Sequence, residues 1–256
     1  MKSPICWVGG KSRMVKKLLP LFPKDYKCYV ELFCGASWVL FGKDPSKVEV
    51  INDLDGDLVN FFRVVRDKKD LLLKSLEYEL VSREVFNGYK DKFMKGDYTD
   101  EVERAKIFYY IIKASFGGRL ISPTFGTRKC SPPGLNPNTF TKLIDSTYRR
   151  LSRVYIENLD FEECFSNYDG KDTFTFIDSP YRNCTGYRVG KFTDEDYIRL
   201  ARMCGNSKGR WLVTINDDEY IRELFKGYHI HSHTHNYSIN KADNSRTFKE
   251  LIITNY

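Results

Sequence analysis

The sequence predicts a doubly wound α/β sheet carrying an inserted, mostly helical segment, and three observations predict it. Short apolar runs at residues 28–33, 48–51, 173–177, 211–215 and 251–254 have the length and continuity of strands buried on both faces of a parallel sheet. The stretches between them carry helical spacing, the alternation that builds a sheet covered by helices. From about residue 61 to residue 150 the character changes, with apolar residues recurring at helical intervals through 71–94 and 102–114.

The chain is long enough, at 256 residues, to bury a large core without covalent staples. Its seven cysteines, Cys6, Cys28, Cys34, Cys130, Cys164, Cys184 and Cys204, are odd in number and contain no C-x-x-C pair, so they read as reduced thiols of an intracellular protein. Residues 1–19 lack an apolar core of signal-peptide length, and no later stretch approaches the roughly 20 apolar residues that span a bilayer. A cytoplasmic location is expected. The formal charge of +7 suits a polyanionic partner without requiring one.

The first strand, ending in Glu31-Leu32-Phe33, runs into Cys34-Gly35-Ala36-Ser37, where small residues let a ligand approach the backbone and the following helix offers free amides. Asp53 ends the next strand, 18 residues after Gly35, where a carboxylate can accept from ribose hydroxyls; the same residues also fit an ordinary turn plus an Asp capping a helix. Ile5 stands where a P-loop ending in Gly10-Lys11-Ser12 needs glycine, and no G-x-G-x-x-G follows a strand. ATP and NAD are therefore not expected as cofactors.

Residues 115–138, rich in Gly, Pro, Ser, Arg and Lys, read as a long loop or irregular hairpin, a common place for function. The buried run at 173–177 then leads into Asp178-Ser179-Pro180-Tyr181, placing a carboxylate and an aromatic ring past the C-terminal end of a strand, where open α/β sheets bind ligands. That pairing suits amino methylation. An adenine amine is a weak nucleophile because its lone pair is delocalised; Asp178 and the Ser179 carbonyl can each accept one N–H, and Tyr181 offers a stacking face to an unstacked base. Pro180 restrains the loop. His229, His231, His233 and His235 alternate along one segment and share one face of a strand; four collinear side chains do not converge on a tetrahedral metal, so an exposed edge strand is expected and no metal.

Taken in order, these segments resemble the Dam-type (D12 class, alpha-group) N6-adenine-specific DNA methyltransferases over nearly the whole chain. Trp7-Val8-Gly9-Gly10-Lys11 is similar to that family's W-x-G-G-K segment, residues 31–37 to its E-x-F-x-G-x-G turn, Asn52-Asp53-Leu54 to its ribose-binding N-D segment, and Asn158-Leu159-Asp160-Phe161 to the element beside the cofactor adenine. Asp178-Ser179-Pro180-Tyr181 stands where the family carries D-P-P-Y, and Thr214-Ile215-Asn216 and the closing 245–252 segment also match. Ser37 replaces the family's last turn glycine, and Ser179 its first proline.

The resemblance implies a Rossmann-like S-adenosylmethionine-dependent methyltransferase sheet formed by residues 1–60 and 148–256. It also implies an inserted helical target-recognition domain at 61–147 with its basic loop at 115–138. The implied cofactor is S-adenosyl-L-methionine, held by Trp7, Lys11, Phe33, Gly35, Asp53, Leu54, Asp160, Phe161 and Asp178. The implied catalytic residues are Asp178, Ser179, Pro180 and Tyr181. Double-stranded DNA is the implied partner, contacted by Arg119, Phe125, Arg128 and Lys129, with no membrane and no obligate protein partner expected. An inactive relative that only binds DNA, and an enzyme acting on cytosine N4 or on RNA adenine, use nearly the same residues and stay open at this point.

Overall fold

A computed structural model describes residues 1–127, 133–183, 188–236 and 247–256. Among the described residues the strands are β1 (Cys28–Glu31), β2 (Val48–Asn52), β3 (Val154–Glu157), β4 (Thr173–Asp178), β5 (Arg210–Asn216), β6 (His229–Asn236) and β7 (Thr247–Thr254). The helices are α1 (Val15–Leu18), α2 (Trp38–Gly42), α3 (Gly56–Asp67), α4 (Lys69–Leu76), α5 (Arg83–Lys95), α6 (Glu101–Ala114), α7 (Pro137–Leu151), α8 (Phe161–Tyr168), α9 (Asp194–Gly205) and α10 (Glu219–Leu224). The chain divides into two compact units, one of residues 1–21, 34–45 and 53–158, the other of residues 22–33, 46–52 and 159–256.

The second unit holds the sheet strands in the order β2-β1-β4-β5-β7-β6. β1 pairs in parallel with β2 and β4, and β4 in parallel with β5. Parallel strands covered on both faces must be apolar on both, and residues 173–177 of β4 and 211–215 of β5 are buried without a break. On one side Val30, Ile177, Trp211, Val213 and Leu251 pack with Phe165 of α8 and Leu200 of α9; Trp211 also donates its Nε1–H to the Cys204 carbonyl at 3.0 Å. Another aromatic cluster joins Phe22, Tyr26, Tyr29 and Phe174, with Phe22 and Phe174 centroids 4.5 Å apart.

Two sequence expectations need correction here. The run at 251–254 belongs to a buried strand, but β7 is antiparallel to both β5 and β6. A parallel neighbour needs a crossover of a dozen or more residues, and only residues 237–246 separate β6 from β7 along the chain. β3 carries no continuous apolar run, since its burial alternates, and periodicity passed over it. It lies in the first unit, where α3 fixes it: Arg63 Nη2 donates to the Ile156 carbonyl at 2.9 Å and Arg66 Nη1 to the Val154 carbonyl at 3.1 Å.

The first unit is mostly helical. Its centre is α6, buried almost continuously from Ile107 to Ile112, with Tyr109 stacked on Phe61 of α3 at 5.4 Å. The helix ends follow from sequence. Asp55, Ser82 and Asp100 cap α3, α5 and α6 by accepting from backbone amides, and Gly96 ends α5 in the left-handed region at φ 68°. No helix of the described residues is long and apolar enough to cross a membrane, and Cys6, Cys28, Cys34, Cys164 and Cys204 are free thiols.

Candidate active site

In the first unit the glycine turn and the following acidic segment are tied together. Gly35 sits at φ 45° and donates its N–H to Asp53 Oδ2 at 2.9 Å, while Asp53 Oδ1 accepts from the Asp55 amide at 3.0 Å. The helix cap belongs to Asp55, which accepts from the Asp57 and Leu58 amides. Asp53 is thus not the cap of α3, and its half-buried carboxylate keeps lone pairs for a ligand. Asn158 Nδ2 also donates to the Asp53 carbonyl at 2.8 Å.

Desolvation pushes the Asp53 carboxyl up to about 6 from an ordinary 3.8, against the pull of the amides of Asp55 and Gly35. The folded chain therefore holds this proton more tightly than the unfolded chain. The associated stability is fully present below about pH 4 and is lost as pH rises through about 6. Asp53→Asn removes the titrating group but keeps one acceptor where Asp53 has two, setting its NH2 against the Gly35 or the Asp55 amide. Its stability relative to wild type will therefore rise by about 1–2 kcal/mol between pH 4 and pH 7, the interval over which the wild type loses the stability linked to the Asp53 proton. Thermal melts of both proteins across pH 3.5–8 check this; a difference between them that does not change with pH would refute the assignment.

Trp7 lies against the turn. A Cβ built on Gly35 would stand 2.8 Å from Trp7 Cδ1, and one on Gly10 would stand 3.0 Å from Trp38 Cδ1, so both glycines are close-approach positions for indoles. Lys11 is buried at 6% exposure, while Leu54 is exposed.

Ser37 occupies the left-handed region at φ 50° and ψ 38° before α2, makes no side-chain cap, and buries its hydroxyl without a hydrogen bond among the described residues. Left-handed backbone and an unsatisfied buried hydroxyl each cost on the order of 1 kcal/mol, more than the chain entropy a glycine adds. Ser37→Gly will therefore raise the melting temperature by about 2–4 °C; calorimetry showing a fall would refute that account.

In the second unit Asp178 closes β4 opposite Thr214 of β5, and its Oδ1 accepts from Thr214 Oγ1 at 2.9 Å. Ser179 is 1% exposed, and among the described residues its Oγ has no hydrogen-bond partner. The Pro180 carbonyl accepts from Tyr197 Oη at 2.9 Å, and the amide of Arg182 donates to Asn216 Oδ1 at 2.8 Å, so the loop is fixed on both sides of a partly buried Tyr181.

Nearby in the same unit Phe33, Phe161 and Phe192 form an aromatic wall with centroids 5.5–5.7 Å apart. Asp160 caps α8 and is held by Arg199 at 2.7 Å. Asn52 binds the carbonyls of Leu32 and Leu159 and accepts from the Leu159 amide, so it braces the strand ends. Sequence reasoning missed Arg199, Tyr197 and Phe192, which carry no motif.

The start of the basic loop is a small hairpin closed by a Ser115–Phe125 bridge. Arg119 is exposed on it. Phe125 is partly buried at its base, edge-on to Phe86 at 5.4 Å with the Arg83 guanidinium over its ring. Phe116, not singled out from sequence, is 64% exposed beside that bridge, its amide donating to the Thr124 carbonyl at 2.8 Å. Arg128, Lys129 and the 245–246 pair lie outside the described residues. The four histidines fall on β6, the edge strand of the sheet, with His229 and His231 exposed. Among the described residues no cluster of three metal-ligating side chains occurs.

Residues 7–239 match the family model described as D12 class N6 adenine-specific DNA methyltransferase. The chain is 26% identical over 235 residues to the type II methyltransferase M.CviBI of Paramecium bursaria Chlorella virus NC1A, covering 91% of this chain and 89% of that one. It is 28% identical to the type II methyltransferase M1.LlaDCHI of Lactococcus lactis subsp. cremoris, covering 98% and 94%. It is also 28% identical to the type II methyltransferase M.MjaIII of Methanocaldococcus jannaschii, covering 98% and 97%.

Proposed function

Since the chain belongs to the D12 class N6 adenine-specific DNA methyltransferases, we propose that it takes its methyl group from S-adenosylmethionine and delivers it to an adenine flipped out of double-stranded DNA. The observation that carries the reading is Asp178 at the C-terminal end of β4, followed at once by a braced Ser179-Pro180-Tyr181 loop.

The residues fit such a donor. The Gly35 turn leaves no room for a Cβ, and Asp53 keeps acceptor capacity for ribose hydroxyls. By family resemblance the donor is held by Phe33, Gly35, Asp53, Leu54, Asp160, Phe161 and Asp178, with Trp7 and Lys11 toward its methionine end. S-adenosylmethionine, when bound, supplies an electrophilic methyl on a sulfonium.

Asp178 accepts one N–H of the target amine and the Ser179 carbonyl the other, drawing the nitrogen toward tetrahedral geometry as positive charge develops on it. The Ser179 carbonyl is a backbone group, so replacing the family's proline leaves it in place. Tyr181 stacks on the extruded base, recovering about 1–3 kcal/mol of lost stacking. Residues 61–147 serve as the target-recognition domain. Arg119, Arg128 and Lys129 contact DNA; an arginine on a guanine edge discriminates by about 1–3 kcal/mol, and a lysine on phosphate adds affinity. Phe125 supports that hairpin from its base, and exposed Phe116 offers a ring to the duplex.

The test incubates the purified protein with methyl-labelled S-adenosylmethionine and duplex DNA, then digests the DNA to nucleosides. Label in N6-methyl-2′-deoxyadenosine is expected. Label in N4-methyl-2′-deoxycytidine, or only with RNA, or none at high enzyme concentration, would overturn the proposal.

A further inference from the structure

The beginning of α9 reaches both halves of the chemistry that the second unit contains. A capping box fixes this end: the Thr193 amide donates to Asp196 Oδ2 at 2.8 Å, and the Asp196 amide donates back to Thr193 Oγ1. From that rigid start, side chains go two ways.

Toward the D-S-P-Y loop, buried Tyr197 donates its hydroxyl to the Pro180 carbonyl at 2.9 Å. Asp194 grips the Arg182 guanidinium with both oxygens, at 2.9 and 3.1 Å, just past Tyr181. Toward the aromatic wall, Arg199 donates Nη2 to Asp160 Oδ1 at 2.7 Å and Nε to Glu162 Oε2 at 3.0 Å, with its guanidinium 4.7 Å over the Phe161 ring. Phe192, just before the helix, packs edge-on to Phe33 and Tyr197 and at a tilt to Phe161.

We propose that the first turns of α9 position the reactants by a division of labour: Tyr197 sets the loop that presents the methyl acceptor, and Arg199 sets Asp160 and Phe161, which bind the methyl donor. The inference rests on the donor and acceptor sites assigned above. Its physical basis is the separation of the two contacts. Proline has no N–H, so the Pro180 peptide is fixed through its carbonyl, and the Tyr197 hydroxyl does this from a buried, fully packed ring. Pro180 adjoins Ser179, whose carbonyl receives the amine, so a tilt here misaligns the acceptor. Asp160 Oδ1 takes both the Glu162 amide and Arg199, which fixes the carboxylate plane and leaves Oδ2 to accept an amine such as that of the donor's adenine. Neither Tyr197 nor Arg199 touches a reacting atom; both are positioning residues.

Steady-state kinetics of the full chain with labelled S-adenosylmethionine and duplex DNA test this, with melting temperatures measured alongside. Tyr197→Phe removes one hydroxyl and is expected to lower kcat about tenfold with the donor KM unchanged. Arg199→Ala is expected to raise the donor KM about tenfold with kcat within about twofold, and Arg199→Lys, which keeps charge but loses the planar fork, to fall between. Tyr197→Phe that shifts only melting temperature, or two variants that move the same kinetic constant, would overturn the division of labour. Asp160→Ala and Asp178→Ala separate this from the underlying site. If Asp160→Ala leaves the donor KM unchanged or Asp178→Ala is active, the site assignment is wrong. If both behave as assigned while Tyr197→Phe and Arg199→Ala keep wild-type kinetics, the α9 inference alone fails.

Discussion

Asp178→Ala will lower kcat for methyl transfer by about 10³-fold or more while leaving donor affinity within a few-fold. An exocyclic amine shares its lone pair with the purine ring, so a reactive nitrogen exists only when both N–H bonds point at acceptors and the pair is released toward the electrophile. Losing the carboxylate removes the charged acceptor and leaves the neutral Ser179 carbonyl. Asp178 is only partly buried at the end of β4, so truncating it opens no large cavity, and a thermal melt of the variant checks that it folds. Labelled-methyl kinetics paired with donor calorimetry separates chemistry from binding. A variant with wild-type turnover would remove Asp178 from the reaction, and with it the role of the D-S-P-Y loop.

Gly35→Ala will have the second-largest effect, on donor binding and stability together. The added methyl would stand 2.8 Å from Trp7 Cδ1 and 3.0 Å from Nε1, and a rigid indole cannot yield as a flexible chain end does. The backbone at φ 45° also disfavours any side chain. Strain and displacement together cost about 2–4 kcal/mol of stability. The Gly35 amide would also leave its place over Asp53, so donor affinity should fall by about 10²-fold. Calorimetric titration and a thermal melt measure both quantities. Unchanged donor affinity would show that this turn does not line the donor site.

Legibility in the sequence followed the range of the forces involved. The runs at 28–33, 173–177 and 211–215 announced strands because burial on both faces demands apolar residues locally. The pairing of Gly35 with Asp53 was also visible, since a glycine at a strand-to-helix turn and a carboxylate at the next strand's end are each local signals. β3 gave no such signal: its carbonyls are satisfied by Arg63 and Arg66, 93 and 88 positions away. Arg199 likewise meets Asp160 across 39 residues, and no short pattern encodes that meeting.

The sequence by itself determined the α/β class, the five main strands, the D-S-P-Y end of β4 and the family that these motifs carry. Each of those rests on composition and spacing within a few residues. Only the tertiary structure decided that β7 runs antiparallel, that Asp55 rather than Asp53 caps α3, and that α9 braces both the D-S-P-Y loop and the aromatic wall. Those outcomes are settled by which distant backbone and side-chain groups finally meet, a matter of packing that local preference cannot fix.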